Sequence, residues 1–311
     1  MQMPGKFMFM KFRDRLFKKR KHIRLEDMLK QLYMGESEHP GNLYMKVEEI
    51  PADILEGLLQ QKWIEKKDGQ IKLTDQGKEK AGDLIGKHRL YEKFLAEKTG
   101  VEPKDWHRLA EIAEHKLGPE EKEKLERELG YPLFDPHGDP LYLETSGKEE
   151  IEGKPLKDFN DILTARITHL EDEPEAIYHT LIDKGLYPGL IIRVEPLTNG
   201  RYLLKYEGLE TITGPEESGL IQIKRVDEKW WSPEIIRLSL LQPGEKAKIV
   251  SLSGNLRGLS RQRLLDLGFV KGAIVETYLV APLGEPVAYL IKGTVIALRK
   301  EQSDKILVRK L

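Results

Sequence analysis

The 311-residue sequence contains no cysteine. That absence excludes disulfides, thiolate metal sites and cysteine nucleophiles together, and it suits a reducing compartment. No apolar run approaches the ~18–20 residues of a membrane-spanning helix, and the N-terminus has no signal-peptide core. Charge of one sign is not in excess either. The 51 basic and 52 acidic side chains leave a formal net charge of −1, so attraction to a polyanion has to be local. A Walker-type phosphate loop, a dinucleotide GxGxxG and a nucleophile elbow are missing, and no nucleophile has a positioned base. The expectation is a cytoplasmic protein of two or three domains that is not an enzyme.

What the chain does have is a concentration of nitrogen and oxygen donors: His88, Glu92, His107, Glu111, Glu114 and His115. His88 and Glu92 stand four apart and share a face if the segment is helical. His107, Glu111, Glu114 and His115 follow at intervals of four, three and one, which fills one side of a second helix at 3.6 residues per turn. Imidazole with carboxylate and no thiol is donor chemistry for Mn(II), Fe(II), Co(II) or Zn(II). A metal site is the expectation, against the plain alternative of two solvated, charged faces.

The chain opens on a basic arm, residues 1–24, in which Phe7-Met8-Phe9-Met10 runs into Lys11, Arg13, Arg15, Lys18-Lys19-Arg20-Lys21 and Arg24. Such an arm suits DNA phosphates or a peripheral contact with an anionic bilayer, or it is a solvated terminus. Leu25, Met28, Leu29, Leu32 and Tyr33 then form a helical stripe. A second helix is expected from about Pro51 through Leu59 to Trp63, with Pro51 in its first turn. Asp68-Gly69 between alternating segments predicts a hairpin, and Thr74-Asp75-Gln76-Gly77 opens the next helix. Helix, helix, two-stranded wing, helix is the order of a winged helix-turn-helix.

Residues 78–130 read as helical, and Pro- and Gly-rich residues 131–153 as a connection. From Ile162 short alternating strands take over, the texture of small barrels. That half repeats itself. Leu181-Ile182-Asp183-Lys184-Gly185-Leu186-Tyr187-Pro188-Gly189 parallels Leu264-Leu265-Asp266-Leu267-Gly268-Phe269-Val270-Lys271-Gly272, and each copy leads into a strand, which predicts two copies of one barrel. Trp230-Trp231 at their junction reads as a hydrophobic clamp between them, with a partner-binding surface as the alternative. His137, in the proline-rich connection, reads as structural.

Residues 25–227 resemble the diphtheria toxin repressor family of metal-dependent transcriptional regulators, which includes the manganese regulators. The matching pieces are Leu25-Glu26-Asp27-Met28-Leu29, Leu32-Tyr33, Leu73-Thr74 with Gly77, Lys87-His88-Arg89-Leu90-Tyr91-Glu92, Trp106-His107, Glu111, Glu114-His115 and Asp135-Pro136-His137-Gly138-Asp139-Pro140. The C-terminal part resembles a ferrous-iron transport A (FeoA) domain through Pro243-Gly244-Glu245, Arg263-Leu264, Asp266-Leu267-Gly268, Gly272 and Gly284-Glu285-Pro286-Val287.

The resemblance implies an α+β multidomain protein: a winged helix-turn-helix, a helical metal-binding and dimerisation domain, then two small SH3-like β-barrels. The boundaries are 25–86, 87–145, a linker at 146–160, 161–227 and 228–311. It implies a homodimer on double-stranded DNA with a divalent cation as corepressor. Glu111, Glu114 and His115 with Asp27 and His88 are the implied primary site; His88, Glu92 and His107 are the secondary one. Carboxylates at 27 and 111 favour Mn(II), whereas the FeoA-like tail favours Fe(II). Lys30 stands near where manganese members can offer another carboxylate. Glu173 and Glu175 are the barrel's candidate donors. The implied switch is electrostatic: carboxylates repel one another until a divalent cation neutralises them.

The DNA-reading segment departs from the pattern. The stretch between Leu32 and Trp63 is short, and the recognition helix shows Asp53 and Glu56 in its first turns, where acids are repelled by phosphate. Phosphate contacts then fall to Lys46, Lys62, Lys66, Lys67 and Lys72. The alternative function is a metal-sensing interaction protein that regulates a ferrous-iron transporter through its FeoA-like domains.

Overall fold

The computed structural model describes residues 21–35, 49–67, 70–141 and 153–311. The arm up to residue 20, Lys46, the Asp68-Gly69 turn and much of the expected linker lie outside them. The chain divides into two compact units.

The first unit takes in the described residues up to Tyr91 together with His107–Leu133 and Leu141. Helix α1 covers residues 21–35, and its stripe buries Leu25, Leu29 and Leu32. Helix α2, Ala52–Gln60, buries Ile54 and Leu58 in the same core, with Trp63, Ile64 and Ile71. Pro51 is the residue capping α2 rather than one inside it; its carbonyl accepts from the amides of Ile54 and Leu55. Strands β1, Ile64–Lys67, and β2, Gln70–Leu73, pair antiparallel from Ile64↔Leu73 to Lys67↔Gln70, the wing that the turn signal predicts. Helix α3, Asp75–Lys98, starts where Thr74 Oγ1 accepts from the Gly77 amide at 3.0 Å. Helices α4, Pro103–Glu114, and α5, Pro119–Glu128, follow.

The second unit comprises Glu92–Trp106, Phe134–Pro140 and the described residues from 153 on. It holds two six-stranded antiparallel sheets. The first contains β3 Lys154–Pro155, β4 Leu163–Leu170, β5 Ile191–Pro196, β6 Tyr202–Tyr206, β7 Leu209–Thr213 and β8 Ile221–Arg225, in the order β3-β8-β4-β5-β6-β7. The second contains β9 Ile235–Arg237, β10 Lys246–Leu252, β11 Ile274–Val280, β12 Val287–Ile291, β13 Thr294–Leu298 and β14 Ile306–Lys310, in the order β9-β14-β10-β11-β12-β13. Position for position the two orders are the same.

The sequence repeat accounts for this. Helices α6, Glu175–Asp183, and α7, Gly258–Asp266, both end before a left-handed glycine, Gly185 or Gly268. The next glycine of each pair, Gly189 or Gly272, donates its amide to the sheet at Ile167 or Ile249. Each sheet slips register just after that acceptor, between Ile167 and His169 and between Ile249 and Ser251. Each barrel has its own apolar core, one around Tyr206, Leu163 and Ile192 and the other around Phe269, Tyr289 and Val308.

Trp230 is not buried between the barrels as the clamp reading expects. Trp230 is 55% exposed, with the Arg166 guanidinium 5.4 Å from its ring. The barrels are joined instead by a buried polar cluster. Glu207 accepts from Tyr187 Oη at 2.7 Å and from Arg237 at 2.9 Å, and Ser253 donates to Tyr187 at 2.9 Å. The sequence could not reveal it, since Glu207 and Arg237 are 30 positions apart and neither belongs to a motif.

Candidate metal centres

Within the first unit, α1 and the end of α4 bring together Asp27, Glu114 and His115, whose donor atoms all lie within 4.8 Å of one another. His115 Nε2 is 3.0 Å from Asp27 Oδ1 and 3.7 Å from Glu114 Oε1. Helix α4 stops at Glu114, so His115 occupies the turn that follows; Lys116 and Leu117 both return their amides to the Ala113 carbonyl. The expected single stripe therefore ends one residue early, ahead of Gly118-Pro119.

The other ring nitrogen of His115, Nδ1, lies 2.7 Å from Glu26, a carboxylate the sequence reading passed over. A carboxylate behind a ligand imidazole fixes its tautomer and orientation. Glu26 is 3% exposed and also pairs with Lys80 at 2.6 Å. Burial would raise its carboxyl, but hydrogen bonds from His115 and Lys80 prevail and hold it near 2. Burial likewise opposes the charge on His115, and Asp27 and Glu26 overcome it, lifting the imidazole to about 9.

His88, on α3, presents Nδ1 to Glu114 Oε2 at 2.6 Å and Nε2 to His107 Nδ1 at 3.2 Å. Only one proton fits between the two facing imidazole nitrogens, an arrangement equally suited to a shared cation. Glu111 pairs with His107 at 3.5 Å on the exposed side of α4 and is not among the grouped donors.

Lysines bear on the expected repulsion between carboxylates. The carboxylates around Glu114 do not face one another unneutralised. Lys30 Nζ contacts both Glu114 oxygens, at 2.9 and 3.0 Å, and Lys80 occupies Glu26. Burial raises the Glu114 carboxyl, while His88 and Lys30 together bring it below its ordinary value.

Within the second unit a further group forms from Glu92, His137 and Asp172, again with donor atoms within 4.8 Å. Glu92 is 1% and His137 2% exposed. The loop carrying His137 folds around Asp135, whose Oδ1 accepts from the amides of His137, Gly138 and Asp139 at 2.8, 2.8 and 2.9 Å. His137 Nε2 is buried without a hydrogen-bond partner, 3.7 Å from Glu92 Oε2. Burial opposes its charge, yet Glu92 raises it to about 10. A buried imidazole nitrogen aimed at two carboxylates fits a divalent cation. His137, read above as structural, belongs to this group, and the residue of the barrel segment in it is Asp172, with Glu173 and Glu175 exposed beside it. Only the Asp-Pro-His-Gly motif hinted at this.

Of the proposed DNA contacts, Lys62, Lys66 and Lys72 are exposed, in and beside the wing, and Lys67 ends β1. On α2, Asp53 pairs with Arg24 at 3.3 Å and Glu56 accepts from Gln60 at 3.1 Å.

Residues 74–142, spanning α3 to α5, match the family model of the iron dependent repressor metal binding and dimerisation domain, and residues 236–310 match the FeoA domain. The iron-dependent repressor IdeR of Mycobacterium bovis is 25% identical over 167 residues, which is 48% of this chain and 70% of that one. The Fe(2+) transport protein A/Fe(2+) transporter FeoB fusion protein of Porphyromonas gingivalis is 42% identical over 71 residues, covering 23% of this chain and 8% of the fusion protein. The chain therefore spans only a small part of the fusion protein's length. Among solved structures, a manganese-dependent transcriptional repressor in complex with manganese superposes with a TM-score of 0.55 at 20% identity, over 65% of this chain and 99% of its own. ScaR with bound Cd2+ gives 0.51 at 24%, over 65% and 99%. At these identities the likeness speaks for the fold alone, and that fold is a winged helix with a helical domain and SH3-like barrels.

Proposed function

We propose, from the premise that the chain carries an iron dependent repressor metal-binding and dimerisation domain and a FeoA domain, that it is a metal-dependent transcriptional regulator of metal-ion homeostasis. It acts as a cytoplasmic homodimer with Mn(II) or Fe(II) as corepressor. The observation that carries the reading is the convergence of Asp27, from the first helix of the winged-helix segment, with Glu114 and His115 of the helical domain. A bound divalent cation supplies positive charge and coordination at that junction. Asp27 then holds α1 against α4, Glu26 keeps His115 in the correct tautomer, and His88 supports Glu114. Fixing α1 fixes α2 through the Leu25, Leu29 and Leu58 core, which sets the spacing of two recognition helices in a dimer. Glu92, His137 and Asp172 serve as a second ion site.

Electrophoretic mobility shifts test the reading. The full chain should retard DNA upstream of metal-uptake genes only when Mn(II) or Fe(II) is added. Glu114→Ala and His115→Ala should lower metal affinity at least about tenfold and remove the shift. Absence of any DNA binding at low salt, with and without metal, refutes it. The acidic first turn of α2 favours one other reading, a sensor that acts on a ferrous-iron transporter and not on DNA. No helix among the described residues is long and apolar enough to cross a membrane.

A further inference from the structure

Lys30 lies one helical turn beyond Glu26 on α1, and its side chain is only 16% exposed. Its ammonium sits within hydrogen-bond distance of both oxygens of Glu114, itself 1% exposed. Glu114 is also one of the three grouped donors, together with Asp27 and His115. A fixed positive charge therefore stands beside the oxygen that a metal ion has to reach. Solvent and salt screen such a buried pair poorly.

We propose that Lys30 is a built-in competitor cation. It fastens α1 to Glu114 when no metal is bound, and it sets the threshold concentration at which a divalent ion enters the site. This rests on the metal-centre reading above. Two consequences follow from one charge. Repulsion between the ammonium and the incoming ion weakens binding, so the sensor answers to higher metal levels than its donor set alone dictates. The metal-free chain also keeps a tie from α1 to α4, because the lysine neutralises the carboxylate that would otherwise be buried and unpaired. Lys80 does the same for Glu26, which is not one of the grouped donors, so it steadies the helix without occupying an oxygen the ion needs.

The test uses full-length protein and three substitutions. Lys30→Met keeps the apolar stem and removes the charge, Lys30→Gln is a second neutral variant, and Lys30→Arg keeps the charge. Calorimetric titration with Mn(II) alone should show the two neutral variants binding roughly 10–100 times more tightly than the parent, the range in which neighbours of a metal ligand act. The arginine variant should stay near the parent value. In metal-free protein, amide hydrogen exchange along α1 should be faster in the neutral variants and unchanged in the arginine variant. Equal or weaker Mn(II) binding by a folded neutral variant overturns the proposal, and so does unchanged α1 exchange. If no variant and no parent binds Mn(II), the metal centre itself is wrong; the exchange result still reports separately whether Lys30 holds the helix.

Discussion

Glu26 and His115 share one hydrogen bond, and their titrations stabilise the fold over opposite pH ranges. Glu26 is depressed from 4.5 to about 2, so its contribution is complete above pH 4.5 and disappears as pH falls towards 2. His115 is raised from 6.5 to about 9, so its contribution is complete below pH 6.5 and is lost as pH rises through 9. The tie between α1 and α4 is at full strength only between pH 4.5 and 6.5. In metal-free protein, an NMR titration of the His115 ring should give a midpoint near 9. Glu26→Gln should move it down part of the way, since Asp27 still faces the ring. A midpoint that the substitution leaves in place would show that Glu26 does not hold the imidazole. Periodicity alone exposed Glu114 and His115, because both fall in one short segment. Glu26 stayed hidden, and Lys30 showed only as a departure from the family pattern, because what each does depends on partners 89 and 84 positions away.

Among the elements, α3 shows most plainly how a turn signal becomes a rigid joint. Thr74 caps the helix, and Gly77 lies so close to the preceding chain that an added Cβ would stand 2.0 Å from the Trp63 carbonyl oxygen. Alanine is favoured over glycine in helices by about 1 kcal/mol. That gain is outweighed here, since forcing atoms into a packed site costs about 1–3 kcal/mol and backbone yields less readily than side chains. Gly77→Ala should therefore lower the stability of the winged-helix segment, read from the denaturant midpoint of the Trp63 fluorescence change. A rise in that midpoint would mean the joint is looser than the packing indicates. The wing and the helix starts were legible in the sequence because turn and cap residues act locally. The end of α4 was not, since the ligand spacing continued one residue past the last helical turn.

At the scale of the whole chain, the barrels depend on charge where apolar packing was expected. Arg237 is 8% and Glu207 9% exposed, and removing one partner of such a pair strands the other, at a cost of about 3–5 kcal/mol. Lys305 lies half-buried beside them, with its ammonium destabilised first by burial and then by Arg237, so losing Glu207 would remove a carboxylate that steadies both cations. Glu207→Ala should lower the melting temperature of the C-terminal half and separate it into two calorimetric transitions. A single transition at the parent temperature would show that the cluster does not couple the barrels. The duplication itself was readable from the glycine spacing, whereas the junction was not, because Glu207 and Arg237 lie outside the repeated segment.

The matching register slips line up His169 and Asp172 of the first barrel with Ser251 and Gly254 of the second. One twin has kept an imidazole and a carboxylate at that corner, and the other carries a hydroxyl and no side chain at all. In the proposed second ion site Asp172 therefore has no equivalent in the other barrel, so the two barrels differ at this corner despite their common strand order.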